Sequence, residues 1–188
     1  MQKKGFTFIE VFMVIAIVGI LAGAGVWFLG NVVRDSVFIP NQLNMDKLAS
    51  DTLDIMIDGD IQARGLRFAK AISGTVTALQ VTFINQDNLT IIYRWDNVAN
   101  KLYRKIGAAT EAVMPNYLPN STAIVMTGIG GTLFTCYDVN DVSMALPATG
   151  TNVRRIKINL IAKTDTGLYN DWQGSSEQTT SIAVERFQ

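Results

Sequence analysis

The sequence contains no histidine and only one cysteine, Cys136, among its 188 residues. Histidine is the commonest metal ligand and the usual general base near neutral pH, so its absence removes most zinc-site and hydrolase hypotheses. One cysteine forms no internal disulfide, and the apolar run around it predicts a buried thiol in a strand rather than a reactive one. The chain also lacks a phosphate loop, a Gly-x-Ser-x-Gly motif and a dinucleotide fingerprint. We therefore expect no catalytic residue, no metal and no cofactor, and we predict that the protein is not an enzyme.

Charged residues are also scarce, at 17%, where a soluble domain has about 25%. The formal charges balance, 16 basic against 16 acidic, so no basic excess indicates a nucleic-acid partner. Residues 93–95 and 103–105 mix aromatic with basic side chains, as single-strand binders do. Strands with one face on a core produce the same alternation. We favour the core interpretation, and DNA uptake is kept as a minor alternative.

The apolar residues are concentrated in one block, residues 6–30, whose single charge is Glu10. As a helix this block spans about 37 Å, enough to cross a hydrocarbon layer of about 30 Å. A secretory signal has a shorter apolar stretch of about 7–15 residues, and a soluble core helix does not need apolar residues on every face. A plain anchor gives no reason for Glu10, whose burial in lipid costs a few kcal/mol. The acidic side chain therefore predicts a function and a partner.

The chain begins MQKKGFTFIEVFMVIAIVGILAG, a short basic leader ending in Gly5, followed by the aromatic Phe6 and by Glu10. This N-terminus resembles the class III signal peptides of type IV pilins and of the pseudopilins of type II secretion. In that family a membrane aspartyl peptidase cuts after the glycine and methylates the new N-terminus. The resemblance implies cleavage by the prepilin peptidase between Gly5 and Phe6, N-methylation of Phe6, and Glu10 as the fifth mature residue.

The resemblance also implies how the subunit assembles. The Glu10 carboxylate of an incoming subunit would meet the Phe6 amine of a neighbour, and breaking such a pair in low dielectric costs about 3–5 kcal/mol. The alternative is a tolerated glutamate that snorkels to the membrane interface. The implied partners are other pilins or pseudopilins in a hetero-oligomeric filament tip, the prepilin peptidase, and the inner-membrane assembly platform.

The charges of the leader indicate the orientation of the chain. Lys3 and Lys4 favour a cytoplasmic N-terminus by the positive-inside bias. With this orientation, the resemblance implies a single-pass protein of the bacterial inner membrane with a periplasmic C-terminal domain, which later enters the filament. The predicted segments are a leader at 1–5, a transmembrane and assembly helix at 6–30, and a periplasmic α+β domain at 31–188.

A second helical segment is predicted after Pro40. The residue before a proline is pushed out of the helical region, which predicts a break at 39–40. Helix then resumes over 41–64 with Gly65 as its stop. Its partial apolar stripe consists of Leu43, Leu48, Met56 and Ile61. Five aspartates between residues 46 and 60 do not match a calcium-loop spacing, so we interpret them as a solvated acidic face.

Beyond residue 74, β-branched and aromatic residues predict antiparallel strands. Polar turns at 85–88 and 96–100 join the first three strands as a meander. The predicted strands are 79–84, 89–95, 101–106, 132–137, 154–162 and 181–187. The glycine-rich segment 128–131 precedes a strand, which predicts a turn rather than a phosphate site.

Together these elements predict the α+β pilin fold, a long N-terminal helix, transmembrane in its first half, packed on an antiparallel β-sheet. The segments TIIY, LYR, LFTCYD and VRRIKI resemble those of PilW-type minor pilins and, more distantly, of J-type minor pseudopilins. The resemblance implies a minor pilin that helps to initiate or cap a type IV pilus at the inner membrane. The alternatives are a minor pseudopilin of a type II secretion system and a DNA-uptake or adhesion subunit at the filament tip.

Overall fold

One long helix precedes a series of antiparallel strands in the structure, a computed structural model that describes residues 7–114, 124–164 and 174–184. The chain divides into two compact units, Met1–Pro40 and Asn41–Gln188. The helix is α1 (Phe8–Ile57). The strands are β1 (Ala69–Ile72), β2 (Thr75–Val76), β3 (Gln80–Asn85), β4 (Thr90–Asp96), β5 (Lys101–Ile106), β6 (Ala112–Met114), β7 (Ile124–Gly128), β8 (Phe134–Tyr137), β9 (Ala148–Thr149), β10 (Arg155–Thr164) and β11 (Ser175–Ala183).

Apart from Glu10, residues 8–30 of α1 are apolar on every side of the helix. An 18-residue window of this helix has a mean hydropathy of 2.5, and none of the window is buried. Its large side chains are exposed, with Phe12 65% and Trp27 73% accessible. The helix is long and apolar enough to cross a membrane.

Helix α1 corrects two boundaries that the sequence predicted. Pro40 lies inside α1, so the predicted break at 39–40 is wrong. A proline in a helix interior removes one hydrogen bond and costs about 3 kcal/mol, but burial of the helical face that follows it compensates for this cost. The predicted end at residue 64 is also wrong, because α1 ends at Ile57 and the chain turns at Gly59, which has a φ of 93°.

The second unit is built on one hydrophobic core, to which α1 and both larger sheets contribute. The buried residues of α1 recur every three or four positions, as one helical face requires. They are Met45, Leu48, Ala49, Thr52, Leu53, Met56 and Ile57. Two members of the predicted stripe, Leu48 and Met56, are therefore confirmed. Leu43 is exposed, and Ile61 is fully exposed beyond the helix, so these two were wrong.

The described strands form three antiparallel sheets rather than the single predicted one. The largest has the order β1-β3-β4-β5-β6, and its β3–β4–β5 part is the predicted meander. The second has the order β11-β10-β7, and β8 also pairs with β10. The short pair β2-β9 forms the third. This layout confirms a helix packed with antiparallel sheets in an α+β protein.

The six predicted strands are present in the structure, but most of their first and last residues were predicted less accurately. Strand β5 has the predicted bounds, and β3, β4, β8 and β10 differ by one or two residues at either end. The final strand was placed too late, because β11 ends at Ala183, while residues 185–188 lie outside the described part. The sequence did not predict β1, β2, β6, β7 or β9, which have five residues or fewer.

Candidate functional site

The N-terminal site predicted from the sequence consists of Gly5, Phe6 and Glu10. Gly5 and Phe6 lie outside the described residues, so cleavage and methylation there stay predictions. Glu10 lies in the first turn of α1. Its surroundings along the helix are apolar side chains such as Val11, Met13 and Val14, all of them exposed.

Glu10 has a local partner that the sequence analysis missed. The Thr7 backbone N–H donates to Glu10 Oε2 at 2.9 Å, and the Thr7 hydroxyl donates to the same oxygen at 3.0 Å. In return, the Glu10 backbone N–H lies 3.4 Å from Thr7 Oγ1. These reciprocal contacts form a capping box, which pairs the Thr7 N–H and gives the Glu10 N–H a second acceptor beside the Thr7 carbonyl. The Thr-x-x-Glu spacing at the start of an apolar run was the signal for it.

A second polar site surrounds Arg104, in the unit Asn41–Gln188. Strand β5 alternates, and Leu102 and Arg104 are both on its buried side. Arg104 is only 8% exposed. Its Nη2 donates to Asp60 Oδ2 at 2.6 Å and to Gln62 Oε1 at 3.1 Å. Among the described residues its Nη1, which is also buried, has no hydrogen-bond partner.

The loop after α1 places Asp60 next to Arg104. Gly59 has a φ of 93°, a conformation that L side chains rarely adopt, and any side chain there would collide with the Ala63 carbonyl. Asp60 Oδ1 accepts hydrogen bonds from the N–H groups of Gln62 at 2.9 Å and Ala63 at 3.2 Å. Both oxygens of the carboxylate are thus engaged, one by the loop and one by the guanidinium.

Protonation in this site follows from burial and from the ion pair. Burial acts to raise the pKa of Asp60, but the hydrogen bonds from Arg104 and from the loop amides, with the Arg104 charge, lower it below its ordinary value. Tyr93 lies directly opposite Arg104 on β4 and donates its hydroxyl to the Ile55 carbonyl at 3.2 Å. Burial raises the pKa of Tyr93, although the nearby Arg104 opposes the shift. The site therefore contains a carboxylate, a guanidinium and a neutral phenol.

A partly open cavity of about 80 Å³ adjoins this network. Asp60, Gln62, Arg104 and Thr110 supply its polar lining. The remaining wall is mostly apolar and comes from the end of α1, from β5 and β6, and from the loop that joins these two strands, including Ile106, Ala109 and Met114. The cavity thus combines one cation with its counterion and an apolar wall.

The sequence missed Arg104 and Asp60 as a pair. The five aspartates were predicted to form a solvated face, and Asp60 departs from this by pairing with a buried cation. The available signal was the segment KLYRKI, which puts Arg104 in register between Leu102 and Ile106 on a core-facing side. An arginine in an apolar register needs a buried acceptor, because an unpaired charge there is costly.

The alternation of aromatic and basic residues in β4 has the core origin that we favoured, whereas in β5 the buried residue is Arg104 and not Tyr103. Tyr93 and Trp95 are buried, whereas Arg94 and Tyr103 are on the other face. Arg94 lies over the Tyr103 ring at 4.8 Å and pairs with Glu111 at 2.6 Å. Arg94 therefore has an acidic partner on this face.

Two smaller predictions are confirmed. Cys136 is fully buried in β8, and burial raises the pKa of its thiol to about 11, so it is a core residue. The segment 128–131 is a turn closed by the Ile129–Thr132 bridge, with positive φ at Gly130 and Gly131. Within residues 7–114, 124–164 and 174–184, no group of three or more acidic or cysteine side chains could hold a metal ion.

Comparisons with family models, with curated proteins and with solved structures find no match to this chain.

Proposed function

We propose that the chain is a minor pilin, a subunit that helps to initiate or cap a type IV pilus, and that it assembles through the N-terminal part of α1. The observation that carries the proposal is the apolar surface of this segment, none of which is buried in its most apolar window. An apolar surface of this extent requires lipid or other helices around it. The resemblance of MQKKGFTFIE to a prepilin N-terminus supports pilin subunits as those helices.

The glycines of this segment support close helix contact. Gly19 and Gly23 are four residues apart on one side of α1, and nothing lies within 4 Å of where a side chain would begin at either position. Small residues at this spacing let two helices approach closely in a membrane. The segment thus offers a contact strip for a neighbouring subunit.

Glu10 has two possible roles that need to be separated. The capping box gives it a local structural role, since its carboxylate satisfies Thr7 at the start of the helix. The proposed assembly role is different, because it requires the charge of the carboxylate to neutralise a neighbour's Phe6 amine. A variant that keeps the cap and removes the charge distinguishes the two.

Glu10→Gln is that variant. Glutamine also closes a capping box at this position, and a neutral side chain is easier to place in lipid. Cleavage should be unaffected, because Gly5 is unchanged. Loss of the charge leaves the partner's amine unpaired, at a cost of about 3–5 kcal/mol for that contact. We expect processed Glu10→Gln protein to insert normally and to lose co-purification with its partner pilins.

Thr7→Val is the matched control. It removes the hydroxyl of the capping box at nearly constant shape and leaves the Glu10 charge in place. We expect this variant to co-purify with partner pilins at the wild-type level. Equal recovery of Glu10→Gln and wild type would contradict the proposal, because the carboxylate would then act only as a helix cap.

A further inference from the structure

Strand β11 forms one edge of the second sheet, and its backbone pairs with β10 without a register shift. At one end the Thr164 N–H donates to the Gly174 carbonyl at 3.1 Å. At the other end the Val184 N–H donates to the Arg154 carbonyl at 2.8 Å. In an antiparallel pair every second residue turns its N–H and C=O toward the neighbouring strand. The even-numbered residues of β11 therefore bond to β10, and the odd-numbered residues point their N–H and C=O groups outward.

The first outward-pointing residue of β11 already binds an amide. The Gln42 side-chain oxygen accepts a hydrogen bond from the Ser175 N–H at 3.0 Å, and the Gln42 side-chain N–H donates to the Ser175 carbonyl at 2.8 Å. A residue of a neighbouring strand makes the same two hydrogen bonds in an antiparallel sheet. Helix α1 approaches this closely because Gly174 has no side chain, whose Cβ would lie 2.5 Å from the Asn41 carbonyl oxygen. A peptide-like group of α1 thus covers the start of the edge and indicates what the following groups accept.

The rest of this edge is exposed and has no partner strand. In the described part of the chain, β10 is the only strand that pairs with β11. The outward-pointing residues after Ser175 are all exposed, namely Glu177, Thr179, Ser181 and Ala183. Each of them offers one N–H and one C=O, so a strand of about seven residues would pair with all of them.

The other described edges of the two larger sheets are short, irregular or covered, as protected edges usually are. Strand β1 has four residues and a register shift, and β6 has three residues. On β7, the Met126 N–H donates to the Asn100 carbonyl at 2.9 Å, and on β8 the Cys136 carbonyl accepts from the Met144 N–H at 2.8 Å. Strand β11 has nine residues without proline, lysine or arginine. An edge of this kind is suited to pairing with a strand from another chain.

One charge on β11 limits the composition of the added strand. Glu177 is the only charged residue of β11. It lies opposite Ile161 on β10, and no ion pair joins it to Lys163 or to another cation within the described residues. An opposite charge directly across an antiparallel pair is favourable, so the complementary strand has a Lys or Arg residue opposite Glu177. A second copy of β11 has no cation, and β1, which contains Lys70, is too short to cover the open edge.

We propose that the edge at residues 177–183 binds an extended segment of a different protein chain, which has a Lys or Arg residue opposite Glu177. The segment adds to the sheet as an antiparallel strand, the more stable of the two pairings. Main-chain hydrogen bonds supply the affinity, and the cation fixes the register. This site uses no residue of the N-terminal part of α1, so it is independent of the filament function proposed above.

The test adds capped heptapeptides to the full chain in detergent micelles and follows hydrogen exchange of the β11 amides by NMR. The peptide TVTVTVK has its lysine opposite Glu177 when its first residue pairs with Ala183, and TVTVTVE is the control of like charge. The amides of residues 178, 180 and 182 already bond to β10, so their exchange should not change. We expect TVTVTVK to slow exchange at the outward-pointing amides of Glu177, Thr179, Ser181 and Ala183.

Two variants test the charge and the backbone separately. Wild type should prefer TVTVTVK over TVTVTVE by about fivefold in Kd, and Glu177→Lys should reverse this preference. Asp35→Lys makes the same change of charge in the other unit and should keep the wild-type preference. Thr179→Pro removes one outward-pointing N–H, at an edge position where proline is tolerated, and should abolish the protection by TVTVTVK.

Three results would overturn the proposal. The first is the absence of protection by TVTVTVK, or protection that does not alternate along β11. The second is a Glu177→Lys variant that keeps the wild-type preference. The third is protection of the outward-pointing amides without any peptide that rises with protein concentration, because a second copy of the chain would then occupy the edge.

Discussion

The two ends of helix α1 are both rich in apolar side chains, but they differ in how these side chains are arranged and covered. Residues 8–30 are apolar on every side, and they are exposed within their own unit. Residues 45–57 bury one face in the core of the second unit and keep aspartates on the other. The difference shows that a high apolar content predicts only that a helix surface will be covered. The spacing of the apolar residues along the helix predicts whether a protein core or lipid and neighbouring helices cover it. A one-sided stripe indicates a protein core, and an all-round apolar surface indicates lipid or neighbouring helices.

The largest loss of stability should come from a substitution that leaves a buried charge of the second unit without its partner. Asp60→Ala leaves the buried Arg104 unpaired and should lower the free energy of unfolding by about 3–5 kcal/mol. Asp58→Ala is the control two residues away. Its pair with Arg67 is short, at 2.6 Å, but about half exposed, so its loss should cost at most about 1 kcal/mol. Urea unfolding of the full chain in detergent measures both, and equal costs would show that Arg104 does not need Asp60.

A pair of leucine truncations compares the two ends of α1 directly. Leu48 is 2% exposed, so Leu48→Ala should cost about 2–5 kcal/mol. Leu21 is 65% exposed, so Leu21→Ala should not change the stability of the second unit. Hydrogen exchange of the β4 amides in the full chain reports the stability of that unit alone. A similar loss of exchange protection in both variants would contradict this difference, because it would mean that the N-terminal segment stabilises the core of the second unit.

The sequence predicted the central elements of the second unit because their signals are local. Strands β3, β4 and β5 have alternating residues and polar turns between them. The short strands β6 and β9 were not predictable in this way, because their pairing depends on partners distant in the chain. Pro40 was misjudged for the same reason, since the burial that holds the helix beyond it is tertiary. Asp60 and Arg104 are 44 residues apart, and only the fold joins them.

Acid should weaken the second unit through Asp60. A carboxylate whose pKa is lower in the folded state adds stability above its unfolded pKa, near 3.8, and loses it as the pH falls through the folded value. We therefore expect the unfolding free energy to fall below about pH 4. Asp60→Asn should reduce this pH dependence, which urea unfolding of both proteins at a series of pH values measures. The same acid slope in wild type and Asp60→Asn would contradict the assignment.

The smallest effect concerns the start of α1. Thr7→Val removes the capping hydroxyl and should cost about 1 kcal/mol of local helix stability. Faster exchange of the Glu10 and Val11 amides would show the frayed first turn, because both N–H groups donate to the Thr7 carbonyl there. The β4 amides, in the other unit, should be unchanged. Unchanged exchange at the helix start would mean that the capping box does not hold in solution.

The central claim is that the uncovered part of α1 is a processed assembly segment. The most direct measurement is the mass and N-terminal sequence of the chain isolated from a membrane that contains its peptidase. The account predicts a chain that begins at Phe6 and carries one added methyl group on its amine. Gly5→Leu, with a bulky residue at the cleavage position, should leave the leader uncut, while Gly5→Ala should be cut better than Gly5→Leu. A mature wild-type chain that still begins at Met1, or one that begins beyond Ala22, would contradict the account.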